Sequence, residues 1–345
     1  MFKRRPRAPS YDGTHLARSM IGNSLQIWKL KTYLRKVAMT DSHVLITGET
    51  GTGKELAAQY IHQHSTRHAK PLVTINCAAL PDGLLESELF GYERGAFTGA
   101  VSAYAGKLKH ADGGTVLFDE IGEMSPYAQA KILRVIESRE VYPLGGRRSM
   151  PVNIRIMAAT NRDLEQEMAS NGFRRDLYFR LNVARIKLPP LRERKEDIPL
   201  LIDHFAEKFS EVFGRQIGGF TEEAVELLKT SDWPGNIREL MNLVERLFID
   251  PPVGKIKAGD LPESMQFPGP GREKIIPGER ELLLTALSQT NWNKSQAAER
   301  LHWSRMTLYR KMAKHHIQES APEQLPRAPA IRTSRNSLGA DVTKV

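Results

Sequence analysis

Residues 48–55 read GETGTGKE, that is Gly48, Glu49, Thr50, Gly51, Thr52, Gly53, Lys54 and Glu55. The stretch follows the phosphate-binding pattern G-x-x-x-x-G-K-[ST], except that Glu55 stands where a hydroxyl is expected. The residues before it, HVLIT, form a short β-branched run, and the residues after it, ELAAQYIHQHS, have the spacing of a helix. Because strand, glycine loop and helix is the order that this motif requires, we predict a nucleotide-phosphate site.

A pair of carboxylates explains why Glu55 is tolerable at that position. Mg²⁺ keeps several waters and needs only one or two protein ligands, and the apolar strand in GGTVLFDEIGEM ends in Asp119 and Glu120. We predict that Asp119 holds Mg²⁺ and that Glu120 polarises the water attacking the γ-phosphate. Lys54 adds positive charge at the β- and γ-phosphates. A carboxylate in the first helical turn, such as Glu55, is also favoured by the helix dipole.

Further polar side chains that could contact the nucleotide come later in the sequence. The strand VNIRIMAATN ends at Thr160 and Asn161, the place for a polar sensor of the nucleotide. Arg174 and Arg180 lie in GFRRDLYFRLN, and Arg238 lies in WPGNIREL. A planar, always charged guanidinium suits a transferring phosphoryl group. A single arginine is more often a surface ion-pair partner, but three arginines after a phosphate loop favour a role in phosphate chemistry.

Composition places the chain among ordinary globular proteins. Its 345 residues are 40% hydrophobic, which predicts two or three domains. No run of the sequence reaches the about 18 apolar residues that cross a bilayer, and the N-terminus lacks the apolar core of a signal peptide, so we expect a cytoplasmic protein. The one cysteine, Cys77, excludes an internal disulfide and is expected to be a small buried side chain. The net charge of +10 suits a polyanionic partner.

The order of segments predicts an α/β fold with a parallel sheet flanked by helices, followed by a helical lid. Short apolar strands alternate with helical segments in the first part, and later segments have only helical spacing. A stretch rich in Pro and Gly then predicts a linker. The expected parts are a basic N-terminal arm (1–19), the α/β subdomain (20–190), the lid (191–252), the linker (253–278), a helix-turn-helix domain (279–318) and a disordered tail (319–345).

The last of these domains predicts DNA binding. ERELLLTALSQTN, NKSQAAERL and SRMTLYRKMAKHHI indicate three short helices, which is the pattern of a helix-turn-helix. The basic third helix would enter the major groove of double-stranded DNA. The alternative is a basic capping helix without a DNA partner. The candidate DNA contacts are Ser304, Arg305, Thr307, Tyr309, Arg310 and Lys311.

Taken together, these motifs resemble those of the AAA+ bacterial enhancer-binding proteins, which are transcription activators that work on RNA polymerase carrying the sigma-54 factor. The resemblance covers residues 20–265, and the final segment resembles the Fis-type domain that ends most such activators. Its most specific element is GAFTGA, which in that family forms the tip of a surface loop that contacts sigma-54. These residues are Gly95, Ala96, Phe97, Thr98, Gly99 and Ala100.

The resemblance also implies roles for individual residues. GETGTGKE with Glu55 in the last position is the usual form in that family. Arginine fingers act across subunit interfaces, so the resemblance implies a homo-oligomeric ring, typically a hexamer, that hydrolyses ATP with Mg²⁺. By this match Asn76 is the switch residue that orients the catalytic Glu120, Thr160 and Asn161 are sensor I, Arg174 and Arg180 are the arginine fingers, and Arg238 is sensor II in the lid.

The predicted function is that of a sigma-54-dependent activator that binds upstream, enhancer-like DNA and remodels the closed complex of the polymerase to the open complex. Residues 1–19 leave no room for the receiver domain of many such activators, so we expect control by a protein in trans, by expression level, or no control. Two alternatives stay open. A DNA-bound repressor that does not hydrolyse ATP is disfavoured by Asp119 and Glu120, and a general AAA+ remodeller is disfavoured by GAFTGA.

Overall fold

The computed structural model describes residues 20–262, 265, 279–290, 292–301, 308, 311, 312 and 317. These residues fall into two compact units, one on each side of residue 268. The predicted N-terminal arm and tail lie outside the described residues. Of the predicted DNA contacts, Lys311 alone belongs to the described part of the chain, and Ser304, Arg305, Thr307, Tyr309 and Arg310 lie outside it.

A five-stranded parallel sheet forms the centre of the first unit, as predicted. Its spatial order is β2-β3-β6-β1-β7, and two short strands, β4 and β5, pair antiparallel apart from it. The strands are β1 (Val44–Thr47), β2 (Leu72–Asn76), β3 (Thr115–Asp119), β4 (Glu140–Val141), β5 (Met150–Pro151), β6 (Arg155–Thr160) and β7 (Ala184–Lys187).

Apolar side chains cover both faces of the sheet. In β3, Val116 and Phe118 belong to one buried cluster, and Leu117 between them belongs to another. Successive strand residues face opposite sides, so a strand that is buried on both faces must be apolar throughout. This is why the strands read as continuous apolar runs rather than as alternating patterns.

Helices on both faces of the sheet complete this α/β subdomain. The Ser24 hydroxyl accepts the Ile27 N–H at the start of the first helix, and the Ser125 hydroxyl accepts the Ala128 N–H at the start of the fifth, so both helices have side-chain N-caps. The helices are α1 (Leu25–Ala38), α2 (Lys54–Gln63), α3 (Asp82–Phe90), α4 (Lys107–His110), α5 (Pro126–Ser138), α6 (Leu164–Ala169) and α7 (Arg175–Leu181).

Strand register aligns the carboxyl ends of the strands at one edge. Thr47, the last residue of β1, pairs with Thr160 of β6. Asn76, the last residue of β2, pairs with Asp119, the last residue of β3. In parallel sheets flanked by helices, ligands bind outside the carboxyl ends of the strands. The fold therefore gathers the predicted site residues that end strands, Asn76, Asp119 and Thr160, at a single edge.

The helical lid consists of α8 (Ile198–Phe213), α9 (Glu222–Thr230) and α10 (Asn236–Ile249). These helices share one apolar core, in which Trp233 is buried and donates its indole N–H to the Leu228 carbonyl at 2.8 Å. The Thr221 hydroxyl accepts the Ala224 N–H and caps α9.

The lid extends beyond the predicted boundary at residue 252. Ile256 and Leu261 are buried in the lid core, and the Thr221 N–H donates to the Ile256 carbonyl at 2.9 Å. This part of the expected linker is therefore ordered lid structure. Pro and Gly lower the propensity for helix and strand, but an irregular segment can still bury apolar side chains.

The second unit contains α11 (Glu279–Gln289) and α12 (Lys294–Arg300). The Asn293 side chain accepts the N–H groups of Ser295 and Gln296 and so caps α12. Ala297 and Ala298 are buried, as expected for close helix packing, in a small apolar cluster. No helix among the described residues of either unit is long and apolar enough to span a membrane.

Candidate functional site

The glycine loop connects β1 to α2, in the predicted order. Gly53 precedes the first helical residue, Lys54, and has a left-handed backbone with φ of 96°. A side chain is disfavoured in that conformation, which explains the glycine at this position. The Lys54 side chain is buried, and its ammonium group lies 3.2 Å from the Gly48 carbonyl oxygen. The first residue of the loop thus contacts the ammonium group of its lysine, Lys54.

Lys54, Glu120 and Asn161 come together at this edge of the sheet. The Lys54 Nζ atom lies 3.4 Å from Glu120 Oε1. The Asn161 N–H donates to Glu120 Oε2 at 3.2 Å, and its side-chain amide donates to Thr50 Oγ1 at 3.0 Å. Three residues from separate segments therefore lie close together. The Glu120 carboxylate lies between the Lys54 ammonium group and the Asn161 backbone N–H.

Asp119 lies beside them at the end of β3. Burial, and then the negative charge of Glu120, raise the pKa of the Asp119 carboxyl, while the positive charge of Lys54 acts in the opposite direction. Two adjacent carboxylates in a partly buried site favour a cation, and oxygen ligands are those that Mg²⁺ prefers. The described residues contain no group of three or more His, Cys, Asp or Glu suited to a metal. A site for Mg²⁺ needs only one or two such ligands.

Two other predicted residues lie at this edge but make different contacts. Thr160 is fully buried, and its hydroxyl accepts the Arg162 N–H at 3.0 Å, so it faces its own loop. Asn76 is the register neighbour of Asp119. Its side-chain oxygen accepts the Ala78 N–H at 2.9 Å, so the observed bond goes to the following loop rather than to Glu120.

The two candidate arginine fingers are exposed. Arg174 precedes α7, has a side chain that is 44% exposed, and pairs with Asp176 at 2.7 Å. Arg180 is 60% exposed and pairs with Glu137 at 3.2 Å. Neither belongs to the described residues that line the cavity next to the glycine loop. Within one chain, these arginines are therefore not part of the site.

This cavity has a volume of about 480 Å³ and lies between the α/β subdomain and the lid. Its polar part contains the glycine loop, Asp119, Glu120 and, from α10, Arg238. The rest of the lining is largely apolar, as is usual for pockets that bind small molecules. The apolar side chains in the lining are Met20, Ile21, Ile27, Leu30, Leu56, Leu188, Leu201, Phe205, Phe209, Ile237 and Met241.

The sequence analysis missed the residues that join the lid to the glycine loop. Arg192 forms two bonds with the Glu49 carboxylate, at 2.6 and 2.8 Å. Asn236 donates to the same carboxylate at 3.1 Å, and Arg194 donates to the Thr52 carbonyl at 3.2 Å. One signal was available, because only three residues separate the charged tract LRERKED from the last strand, whose carboxyl end lies at the site edge.

The GAFTGA loop lies between α3 and α4. At its base, a Cβ atom on Gly91 would overlap the Tyr104 carbonyl oxygen, so the two sides of the loop touch. At its tip, the Gly95 N–H donates to the Ala100 carbonyl at 2.9 Å. Phe97 is 46% exposed and makes an edge contact with the Tyr92 ring at a centroid distance of 4.9 Å. Thr98 is exposed. The loop thus has a closely packed base and an accessible tip.

The single cysteine is adjacent to the site but buried. Its backbone N–H donates to the Asp119 carbonyl at 2.9 Å. Burial, followed by the charges of Asp119 and Glu120, raises the pKa of Cys77 to about 12. The thiol is therefore a packed side chain, as expected from the sequence, and not a nucleophile.

Comparison with known proteins agrees with this geometry. Residues 20–187 match the Sigma-54 interaction domain, residues 192–275 the AAA+ ATPase lid domain, and residues 278–315 the bacterial regulatory protein, Fis family. The crystal structure of NtrX from Brucella abortus in complex with ATP is 33% identical, with a TM-score of 0.67, and the match covers 87% of this chain and 70% of that chain. The fold and the site thus define an ATP-binding AAA+ ATPase.

Two curated relatives identify the family. The transcriptional regulatory protein ZraR of Salmonella typhimurium is 45% identical over 302 residues, which are 86% of this chain and 68% of that protein. The Nif-specific regulatory protein of Azotobacter vinelandii is 46% identical over 292 residues, which are 82% of this chain and 56% of that protein. The chain belongs to the family of sigma-54-dependent transcriptional activators, with ATPase and Fis-type DNA-binding domains.

Proposed function

We propose that this activator uses ATP hydrolysis in a ring to remodel the closed complex of sigma-54 RNA polymerase through the GAFTGA loop. The observation that carries the proposal is the accessible loop tip, where Phe97 and Thr98 are exposed on a closely packed base. An exposed aromatic side chain on a small loop of glycines and alanines is suited to contact another protein. In this proposal the sigma-54 contact is formed by residues 95–100.

The hydrolytic chemistry follows from the residues around Lys54. Lys54 and the backbone N–H groups of residues 48–55 bind the β- and γ-phosphates. Because the Lys54 ammonium lies 3.4 Å from Glu120, a γ-phosphate held by Lys54 lies within reach of that carboxylate, which acts as general base for the attacking water. Asp119 would hold Mg²⁺, which supplies positive charge to the phosphates when bound.

Other residues around Lys54 and Glu120 also have proposed roles in hydrolysis. Asn161 reads the γ-phosphate beside Glu120, and Thr160 supports the turn that presents Asn161. Arg238 contacts the phosphates from the lid side of the cavity. Asn76 acts as the switch that orients Glu120. Since its observed bond is to Ala78, this last role requires a change of the Asn76 rotamer.

Arg174 and Arg180 act from a neighbouring subunit in this proposal. Both are exposed and lie outside the cavity lining of their own chain, which suits groups that complete another chain's site. Mixing the Arg174→Ala and Lys54→Ala proteins tests the assignment. A mixed ring pairs an intact Lys54 site with an intact Arg174, so hydrolysis should recover. Absence of recovery at every mixing ratio would contradict action in trans.

The helix-turn-helix domain would bring the ring to upstream double-stranded DNA. This role rests on the Fis-family match at residues 278–315 and on the basic segment that the sequence predicts to be a third helix. A regulatory protein that acts in trans would then set activity by controlling ring assembly or by covering the GAFTGA tip.

The deciding experiment is Thr98→Ala in a reconstituted transcription assay. Because Thr98 lies at the accessible tip, the variant should bind and hydrolyse ATP within about twofold of wild type while open-complex formation falls by at least about a hundredfold. Thr32→Ala, which changes an exposed threonine on α1, is the matched control and should retain transcription activation. Full activation by Thr98→Ala, and by a variant lacking both Phe97 and Thr98, would favour a general remodeller.

A further inference from the structure

Three successive carbonyl groups of the glycine loop are bound by donors from outside the α/β strands and helices. The donors belong to the segment that follows β7 and to the first turn of α10. We name these three contacts the carbonyl clamp: Asn236 Nδ2 to the Thr50 carbonyl at 3.1 Å, the Ile237 N–H to the Gly51 carbonyl at 3.0 Å, and Arg194 Nη2 to the Thr52 carbonyl at 3.2 Å.

The carbonyl clamp controls the N–H groups on the other side of the loop. In a trans peptide, the C=O and the following N–H point in opposite directions within one plane. Holding the carbonyls of Thr50 and Thr52 toward the lid therefore directs the N–H groups of Gly51 and Gly53 away from it. Backbone N–H groups are the donors that cradle phosphates in such loops. The lid side of the loop thus sets the geometry of its phosphate side.

Asn236 has the most specific geometry of the three donors. It is fully buried and has a left-handed backbone, with φ of 52°. Its Oδ1 atom accepts the Leu191 N–H at 2.7 Å, and its Nδ2 group donates to Glu49 and to the Thr50 carbonyl, both at 3.1 Å. Both amide hydrogens are used. Exchange of the amide N and O positions would place oxygen against a carboxylate and a carbonyl, so only one orientation satisfies the site.

Close backbone contact leaves the lid and the loop little freedom to separate. A Cβ atom on Gly51 would overlap the Gly235 carbonyl oxygen, so the two glycines bring the main chains into direct contact. The ion pair between Arg192 and Glu49 lies beside this contact, and its hydrogen bonds lower the pKa of the Glu49 carboxyl. The segment around Asn236 is thus joined to the loop by main-chain and side-chain bonds together.

We propose that Asn236 is a positioning residue for ATP: its amide joins the lid to the glycine loop and holds that loop in the conformation that binds phosphate. This inference rests on the proposed phosphate site at residues 48–55. Asn236 acts through Glu49 and Thr50, and it does not itself touch the nucleotide phosphates. A lid anchor without influence on phosphate binding is the alternative that must be distinguished.

Two substitutions of Asn236 separate these roles. Asn236→Gly keeps a residue that tolerates positive φ and removes the amide. Asn236→Asp keeps the shape but turns the Nδ2 donor into an acceptor that faces Glu49 and the Thr50 carbonyl. Asn171→Gly is the matched control, because Asn171 is exposed and also has positive φ, at 59°. The full-length proteins are compared by calorimetric ATP titration, by KM and kcat, and by thermal denaturation without nucleotide.

The expected pattern is a loss of affinity that exceeds any loss of turnover. Loss of the amide in Asn236→Gly should weaken ATP binding and raise KM about tenfold, with kcat within about threefold of wild type. Asn236→Asp should weaken binding about a hundredfold because it adds repulsion to the lost bonds. Asn171→Gly should match wild type in each of these measurements except thermal stability.

A second substitution at Glu49 provides a rescue test. In the Asn236→Asp background, Glu49→Gln introduces an amide that can donate to the new carboxylate. The double variant should bind ATP more tightly than Asn236→Asp alone, although Glu49→Gln by itself weakens the pair with Arg192 and lowers affinity. A positive coupling between the two positions would show that they act on ATP through their mutual contact.

The outcome that overturns the inference is wild-type ATP affinity and KM in both Asn236 variants, with a loss of thermal stability only. Asn236→Gly decides the matter if Asn236→Asp does not fold, since its backbone preference is preserved. Lys54→Ala is measured in parallel and should lose ATP binding. If Lys54→Ala also binds like wild type, the phosphate-site assignment fails and the inference fails with it; loss in Lys54→Ala alone overturns only the role of Asn236.

Discussion

The glycine loop at residues 48–55 and the GAFTGA loop use glycine for opposite reasons. Gly51 and Gly95 have nearly the same φ, 80° and 82°. A Cβ atom on Gly51 would overlap the Gly235 carbonyl oxygen, whereas no described atom lies within 4 Å of a Cβ added to Gly95 or Gly99. Glycine in the first loop permits close approach of another main chain. In the second it shapes a tip whose surface is left accessible.

Hydrogen bonding shows the same contrast. The carbonyl clamp joins the glycine loop to residues that are more than 140 positions later in the chain. The GAFTGA tip is closed by its own bonds, from the Gly95 N–H to Ala100 and from the Ala100 N–H to Phe97. A change in the glycine loop should therefore affect the lid and ATP together. A change at the tip should remain local and alter only what the tip contacts.

The largest effects are expected from substitutions of Lys54 in the glycine loop and of Glu120 beside it. Lys54→Ala should abolish measurable ATP binding because it removes the charge beside the phosphates. Glu120→Gln should keep ATP binding but lower kcat by about 10²- to 10⁴-fold, since it removes the general base. Nucleotide titration together with a turnover assay measures both. Normal hydrolysis by Glu120→Gln would remove Glu120 from its assigned role.

A matched pair of substitutions tests the contrast between the loops directly. Gly51→Ala forces a methyl group against the Gly235 carbonyl and should lower the free energy of unfolding by about 3 kcal/mol. It should also weaken ATP binding, because the loop and the lid must separate. Gly95→Ala meets no described neighbour and should cost only about 1 kcal/mol, from the strain of positive φ.

Chemical denaturation with and without ATP measures this pair. Equal destabilisation by both substitutions would show that positive φ dominates and that close approach adds nothing. ATP affinity provides a second reading, since Gly95→Ala should leave it unchanged.

The smallest expected effect concerns Asp119 and pH. The folded protein raises the pKa of this carboxyl, so between its unfolded and folded pKa values the folded state binds more protons, and stability falls as pH rises through that window. Above the window the cost stays constant. Asp119→Asn should therefore raise the free energy of unfolding slightly at neutral pH without nucleotide.

Thermal denaturation of wild type and Asp119→Asn across acidic and neutral pH provides the check. The advantage of the variant should shrink as pH falls and Asp119 becomes protonated. A variant that is less stable than wild type at neutral pH would show that hydrogen bonds of the Asp119 carboxylate outweigh the cost of burying its charge.

Short-range patterns predicted the sheet and its motifs, but not the connection to the lid. The five strands and the glycine loop are encoded in runs of a few residues, so β1 and α2 lie where the sequence indicates. Asn236 and Glu49 are 187 residues apart, and their contact depends on how the lid packs. The sequence pattern WPGNIREL drew attention to Arg238 alone, although the neighbouring Asn236 makes the bonds.

Two other differences have physical causes of the same kind. The expected linker at residues 253–278 begins with lid structure, because burial of Ile256 and Leu261 outweighs the low helix and strand propensity of Pro and Gly. The assignment of Arg174 and Arg180 to a neighbour's site remains a prediction. It concerns a surface between chains, and one chain specifies only that both side chains are exposed.

The burial of Cys77 has a practical consequence for measuring motion. Since the chain has one cysteine and its pKa is raised to about 12, maleimide reagents should leave the wild-type protein unlabelled at neutral pH. A cysteine introduced at an exposed position would then be the sole reactive thiol without removal of the native one. With two such cysteines, one at the GAFTGA tip and one on the lid, a pair of fluorophores or spin labels could report the distance between these regions through a cycle of turnover.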